Sequence, residues 1–246
     1  MSGPTTLSAA GPDLEARISP LHRSVSRFLL ALKRPFLARR VGRPVLEEID
    51  GVPLIVLPEV LNPVVFRTGA FLARSLAGLA PAGGAAEPRL LDMGTGSGVA
   101  AIFGARLGYR TVGVDLNPVA VRCARINALL NGLEHRMEVR YGDLFQPVRG
   151  ERFDLVLFNP PFFRGRPRSR YDLAWRGTDV MERFAGDLED ALAPGGRCLL
   201  LLSTDGDAGA MLRALDAARL AVEVARRRHY GNEILTIYRV ARREGG

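Results

Sequence analysis

Lysine is almost missing from this 246-residue chain: Lys33 is the only one, so nearly all of its 34 basic residues are arginine. Such a skew tracks codon composition as readily as selection for binding. The net charge of +8 therefore suggests nucleic acid, a phosphate or an acidic peptide as partner without establishing any of them. Cysteine is scarce too. Cys123 and Cys198 fall in an expected helix and an expected strand, and read as small buried apolar groups rather than a disulfide. The three histidines, His22, His135 and His229, show no metal-ligand spacing, so no metal site is expected. No apolar run is long enough to span a bilayer, and the N-terminus lacks the apolar core of a signal peptide. These absences point to a cytoplasmic protein with no membrane partner. What is present is globular: 47% hydrophobic and 24% charged residues suit one α/β domain with an extension.

Residues 1–11 are small and polar and are expected to be disordered. From Pro12 to Val41, Ile18, Leu21, Val25, Phe28, Leu29 and Leu32 recur at helical spacing between basic residues. A basic amphipathic helix docks on nucleic acid or membrane, but more often covers a core, and that use is expected here. Pro44 to Leu57 reads as a β-hairpin around Asp50-Gly51, a pair that tolerates positive φ. A helix over Thr68–Leu79 and an Ala/Gly/Pro-rich loop at Pro81–Pro88 follow. This sets a boundary between an N-terminal extension, 1–80, and a main domain, 81–246.

Beyond that loop, apolar strands at Leu90–Met93, Thr111–Asp115, Met137–Tyr141, Asp154–Phe158 and Arg197–Leu202 alternate with helices. The helices are expected at Val99–Leu107, Pro118–Leu130, Val180–Leu192 and Gly206–Ala217. The rhythm predicts an α/β fold with a mostly parallel sheet covered on both faces. At the end, Val222–Tyr230 and Glu233–Val240 flank Gly231-Asn232 with no helix between. They should pair as an antiparallel hairpin, giving seven strands in all.

Two constellations carry chemistry. In the first, Asp92-Met93-Gly94-Thr95-Gly96-Ser97-Gly98 runs a buried strand into a glycine turn and a helix. Glycines permit the tight turn and close ligand approach, and N–H groups at the helix start face an anion. Val99 stands where a dinucleotide fingerprint wants its third glycine, which weakens a nicotinamide reading. Asp115 ends the next strand about 20 residues on, where an acid accepts from ribose hydroxyls. Asn117 before Pro118 reads as a helix cap. Asp143, beside Leu144, closes the third strand, where a carboxylate accepts from a base amino group or simply ends a turn. The ordered set signals a nucleoside cofactor.

In the second, a buried strand ends in Asn159-Pro160-Pro161-Phe162 at the same edge. A conjugated amide or aromatic amine nitrogen is a poor nucleophile. Two acceptors, the Asn159 side-chain oxygen and the Pro160 carbonyl, would hold its N–H groups and start its pyramidalisation. The prolines stiffen the turn and remove competing donors, and Phe162 would stack on the planar group. No strong base is needed, so catalysis would be mostly positioning.

These residues resemble class I methyltransferases of the HemK/PrmC type, which methylate a glutamine amide in peptide release factors. Ala174 to Gly177, Val180 to Phe184, Leu192 to Gly196 and Gly231 to Leu235 are similar to segments of the short branch of that family. The resemblance implies a Rossmann-like fold and S-adenosylmethionine as cofactor. Asp92, Gly94, Thr95, Gly96, Ser97, Gly98, Asp115, Asp143, Leu144 and Asn159 would line the cofactor, and Asn159 to Phe162 would hold the acceptor. Asn62 to Gly69 lacks the acids the family carries before its first strand, although Thr68 is still expected near the cofactor, and Phe162 stands where tyrosine is common. Arg164, Arg166, Arg168 and Arg170 alternate just after the clamp, and Trp175 is expected as a pocket wall. A protein glutamine is the first acceptor to consider. An exocyclic adenine or guanine amine in RNA or DNA, a small-molecule amine, and a non-enzymatic cofactor-binding role remain alternatives.

Overall fold

The computed structural model describes residues 42–79, 87–161, 163–166, 169, 171–174, 176–230 and 233–243. The expectations for the basic helix at Pro12–Val41, for Phe162, Arg168, Arg170 and Trp175, and for the Gly231-Asn232 turn lie outside these residues, as does the Arg164 side chain.

The first elements are β1 (Val45–Ile49) and β2 (Val52–Val56), an antiparallel pair turning at Asp50 (φ 51°) and Gly51 (φ 75°). Positive φ at both turn residues is the conformation that matches strand twist, which is why an Asp-Gly pair sits there. Helix α1 (Thr68–Ser75) follows and stops earlier than its apolar periodicity suggests.

The main sheet is built from β3 (Arg89–Met93), β4 (Arg110–Asp115), β5 (Met137–Tyr141) and β6 (Phe153–Phe158), with α2 (Val99–Arg106) and α3 (Pro118–Leu130) as crossovers. A short pair, β7 (Phe163–Arg164) with β8 (Arg176–Gly177), loops out after β6. Then come α4 (Val180–Ala191), β9 (Leu192–Ser203), α5 (Ala208–Ala217), β10 (Leu220–His229) and β11 (Ile234–Arg242). The seven strands lie in the order β10-β11-β9-β6-β3-β4-β5, with β11 antiparallel to both neighbours and the remaining pairs parallel. This is the seven-stranded sheet with a terminal hairpin that the sequence predicts.

Alternation along each strand sends residues to two cores. Leu90, Leu155, Leu157, Leu199 and Leu201 face α1, α2 and α3. Their neighbours Leu91, Val156, Phe158, Leu200 and Leu202 face α4 and α5. Both faces are apolar, so the strands read as continuous hydrophobic runs. Strand β9 begins at Leu192, five residues before the expected Arg197, because Gly196 allows backbone pairing against β6; a Cβ there would lie 2.7 Å from the Phe153 carbonyl oxygen.

The N-terminal hairpin is fastened to α3 through side chains. Buried Asn127 accepts from Ile55 N–H at 2.7 Å and donates to Ile55 O at 2.8 Å and Ser97 O at 2.9 Å. Arg74 of α1 makes a two-pronged pair with Asp50 at the hairpin turn. Among the described residues, no helix is long and apolar enough to cross a membrane.

Candidate active site

A cavity of about 340 Å³ opens at the carboxyl ends of β3, β4, β5 and β6. This edge is where parallel α/β sheets bind ligands, because crossover loops diverge there. One wall comes from Glu59, Val60 and Leu61, ahead of the main sheet. Asn117, which caps α3 by accepting from Val119 N–H, also donates to the Glu59 carbonyl at 2.9 Å and holds that wall in place. A second cavity of about 390 Å³ sits at the opposite edge among Arg89, Arg110, Glu134 and Arg136, away from every motif.

Of the residues expected around a nucleoside, Gly94, Gly96, Asp115, Asp143, Leu144 and Asn159 line this cavity. Gly94 (φ 66°) and Gly96 (φ 56°) need their left-handed backbone, and a Cβ on Gly94 would meet no protein atom within 4 Å and would occupy cavity space. The Asp115 carboxylate accepts from Gly96 N–H and Asn117 N–H, each at 2.8 Å. It thus shapes the glycine turn on a residue that lines the cavity. Desolvation raises its pKa, and those backbone donors oppose the rise. Leu144 adopts φ 46°, a conformation costly for a branched side chain, so the loop carries strain at this wall.

Asp92, Thr95, Ser97 and Gly98 lie behind the turn and are not among the lining residues. Thr95 and Ser97 are buried. The Thr95 hydroxyl donates to Asp92 at 2.7 Å, and Ala101 N–H in the first turn of α2 donates to the same carboxylate at 3.2 Å. Burial pushes the Asp92 carboxyl up to about 7 despite these donors. Gly98 serves packing: a Cβ would lie 3.1 Å from the Ala124 methyl on α3.

At the end of β6, Asn159 and Pro161 line the cavity, and Pro160 is buried between them. Asn159 Nδ2 donates to Thr68 Oγ1 at 3.1 Å, while its buried Oδ1 finds no donor among the described residues. Thr68 is therefore placed against the Asn159 amide. Arg67 just before it takes φ 59°, a strained left-handed state at the start of α1.

Sequence reasoning missed three contributors. Asn127 ties the glycine turn to the hairpin, and a buried asparagine inside a helix carries no advance signal. The Glu59–Leu61 wall needed tertiary contacts to appear. Arg183 of α4 reaches the Asp143 carboxylate at 2.6 Å and sits 3.1 Å from Asp179. The four-residue spacing of Asp179 and Arg183 on a helix was its only trace in the sequence.

Comparison with known proteins places these features in context. Residues 70–223 match the Methyltransferase small domain. A Methanocaldococcus jannaschii chain provisionally named a protein N5-glutamine methyltransferase is 31% identical over 166 residues, covering 64% of this chain and 79% of that one. Ribosomal RNA small subunit methyltransferase C of Alcanivorax borkumensis is 37% identical over 108 residues, covering 44% of this chain and 30% of its own length. A ribosomal protein L11 methyltransferase from Pelotomaculum thermopropionicum is 40% identical, and the chain spans only 37% of it. Among solved structures, the Thermus thermophilus 16S rRNA N2 G1207 methyltransferase bound to AdoMet and guanosine superposes with a TM-score of 0.61 at 21% identity. That match covers 82% of this chain and 50% of the other, and it shows a shared fold.

Proposed function

Because this chain belongs to the Methyltransferase small domain family, we propose that it is an S-adenosylmethionine-dependent N-methyltransferase acting on a planar nitrogen, with a protein glutamine amide as first acceptor. The observation that carries this reading is Asn159. A buried acceptor without a donor is costly, and such an atom in a native fold calls for a role. The Asn159 oxygen, anchored through its own amide group to Thr68 on a residue that lines the cavity, suits an incoming N–H.

The cavity fits the cofactor on its own chemistry. Gly94 and Gly96 leave room for close backbone approach, Asp115 offers lone pairs for ribose hydroxyls, and Asp143 offers one for the adenine amino group. When bound, S-adenosylmethionine supplies an electrophilic methyl on sulfonium sulfur. Asn159 Oδ1 and the Pro160 carbonyl would each accept from the acceptor nitrogen, drawing its lone pair out of conjugation and toward that methyl. The nitrogen so held would receive that methyl and then give up its proton to solvent, with Asn159 and Pro160 keeping it oriented throughout. Orientation of this kind is worth up to about 7–11 kcal/mol in well-aligned systems. The buried thiols of Cys123 and Cys198 suit a reducing compartment, and we place the enzyme in the cytoplasm.

One feature favours a second reading, an exocyclic base amine on nucleic acid. The Arg67 and Arg228 guanidinium groups each lie 5.2 Å from the Tyr230 ring centre, and Arg226 lies 5.9 Å from that of Phe71. None of the three forms an ion pair with a described carboxylate. Arg67 immediately precedes Thr68, and Arg226 and Arg228 lie near the end of β10 at the same edge of the sheet as Asn159.

The test is transfer of radiolabelled methyl from S-adenosylmethionine into fractionated host lysate, with Asn159→Ala beside the wild type. The expected result is label in a protein fraction, lost in the variant, while affinity for S-adenosylhomocysteine stays within a few-fold. Label in RNA instead selects the second reading. Turnover unchanged in Asn159→Ala overturns the clamp.

A further inference from the structure

We propose that Arg183 determines cofactor specificity: it holds one oxygen of Asp143 so that the other is presented to the exocyclic amino group of the bound base. The proposal rests on the adenosine reading of this wall and deepens it.

The geometry is built from both sides. Arg183 Nη1 donates to Asp143 Oδ2 at 2.6 Å, and its Nε lies 3.1 Å from Asp179 Oδ1, one turn earlier on the same helix. That charge-assisted bond fixes where the gripped oxygen lies, and Asp179, which faces the Nε as an ion pair and not as a hydrogen-bond partner, holds the guanidinium beside it by charge. The other Asp143 oxygen takes no hydrogen bond from a described residue, and both side chains line the cavity. Asp143 cannot easily swing away. Gly142 before it has φ 156°, and a Cβ there would lie 2.3 Å from Pro147, so the loop is packed down on its far side.

The base of Arg183 is equally fixed. Its neighbour Phe184 is fully buried, with its ring 5.4 Å from Phe145 and 4.1 Å from Phe158, centre to centre. Phe145 belongs to the Asp143 loop, and Phe158 precedes Asn159. This aromatic stack ties α4, the adenine wall and the clamp strand into one rigid unit. Arg183 is thereby set to aim Asp143, and a pre-oriented acceptor spares the ordering cost on binding. A carboxylate with one free oxygen accepts from a 6-amino group and offers nothing to a purine that lacks it.

Calorimetric titration of the full chain with two probes tests this: S-adenosylhomocysteine and its analogue whose purine carries hydrogen at position 6. Wild type should prefer the amino form. Arg183→Gln should weaken S-adenosylhomocysteine about tenfold and the analogue less than about twofold, the scale of one charge-assisted hydrogen bond. Asp143→Asn should show the same selective loss, and Asp179→Asn, which leaves the Asp143 contact in place, a smaller one. Equal losses on both probes would mean that Arg183 only supports the wall, and no loss on either would mean it does nothing here; both overturn the proposal. Equal wild-type affinity for the two probes overturns the adenosine reading beneath it, which separates the two failures. Should Arg183→Gln not fold, Asp179→Asn and Arg183→Lys carry the same comparison, and selectivity unchanged in both refutes it.

Discussion

At the residue scale, the site is organised by polar groups that are buried yet only partly satisfied. Asn159 keeps one oxygen open because Thr68 occupies its amide nitrogen. Without that hydroxyl the amide is free to turn over and present donors to a donor. Thr68→Val should lower kcat about tenfold, the scale of one hydrogen bond, with little change in S-adenosylhomocysteine affinity, and Thr68→Ser should restore it. Steady-state kinetics of the two variants decide this, and an active Thr68→Val removes the positioning role. Asp92 gives a second prediction. Its carboxyl is raised from 3.8 to about 7 in the fold, so between those values the folded state binds more protons than the unfolded one. Stability contributed by this group is complete below the unfolded value and is lost as pH climbs through about 7. Melting temperatures across that window should fall with rising pH in the wild type and less steeply in Asp92→Asn. Parallel profiles would show that Asp92 is not the group responsible.

At the scale of elements, the β1–β2 hairpin and α3 form one unit with the glycine turn. A single side chain, Asn127, satisfies Ile55 N–H, Ile55 O and Ser97 O. Removing it leaves several buried backbone groups without partners, so Asn127→Ala should cost about 2–4 kcal/mol in denaturant unfolding. Because Ser97 sits in the turn, the same variant should also bind S-adenosylhomocysteine more weakly. Full affinity in a destabilised variant would show that the hairpin and the turn are mechanically separate. The strands of the main sheet and the helices between them were legible in advance, since apolar runs and capping residues such as Asn117 are local signals, whereas the short β7–β8 pair was not foreseen. Strand β9 was not fully legible, because its start depends on how closely Gly196 approaches the Phe153 carbonyl.

At the scale of the whole molecule, the excess positive charge gains meaning from where it sits. Arg67, Arg226 and Arg228 gather around two aromatic rings at the active edge, although they come from opposite ends of the described chain. Raising salt should therefore weaken acceptor binding, with KM rising while kcat holds, and Arg228→Ala should flatten that dependence. A slope equivalent to several phosphates, about a thousandfold between roughly 50 and 200 mM, would mark a nucleic-acid acceptor, and a shallow one a peptide. A KM indifferent to salt and to Arg228 would dismiss the patch.

What the sequence by itself determined is whatever rests on neighbours along the chain. The parallel sheet with its closing hairpin follows from the order of apolar runs, and the glycine turn and the Asn-Pro-Pro turn from contiguous residues whose backbone limits are intrinsic. Tertiary structure alone decided which of these face the cavity. The Thr95 hydroxyl turns inward because Asp92 accepts its proton, and Ser97 is buried off the cavity wall. Thr68, Asn127 and Arg183 reach the site from 91, 30 and 40 residues away from the groups they hold. Contacts at that separation depend on how helices settle on a twisted sheet, and no local pattern encodes them.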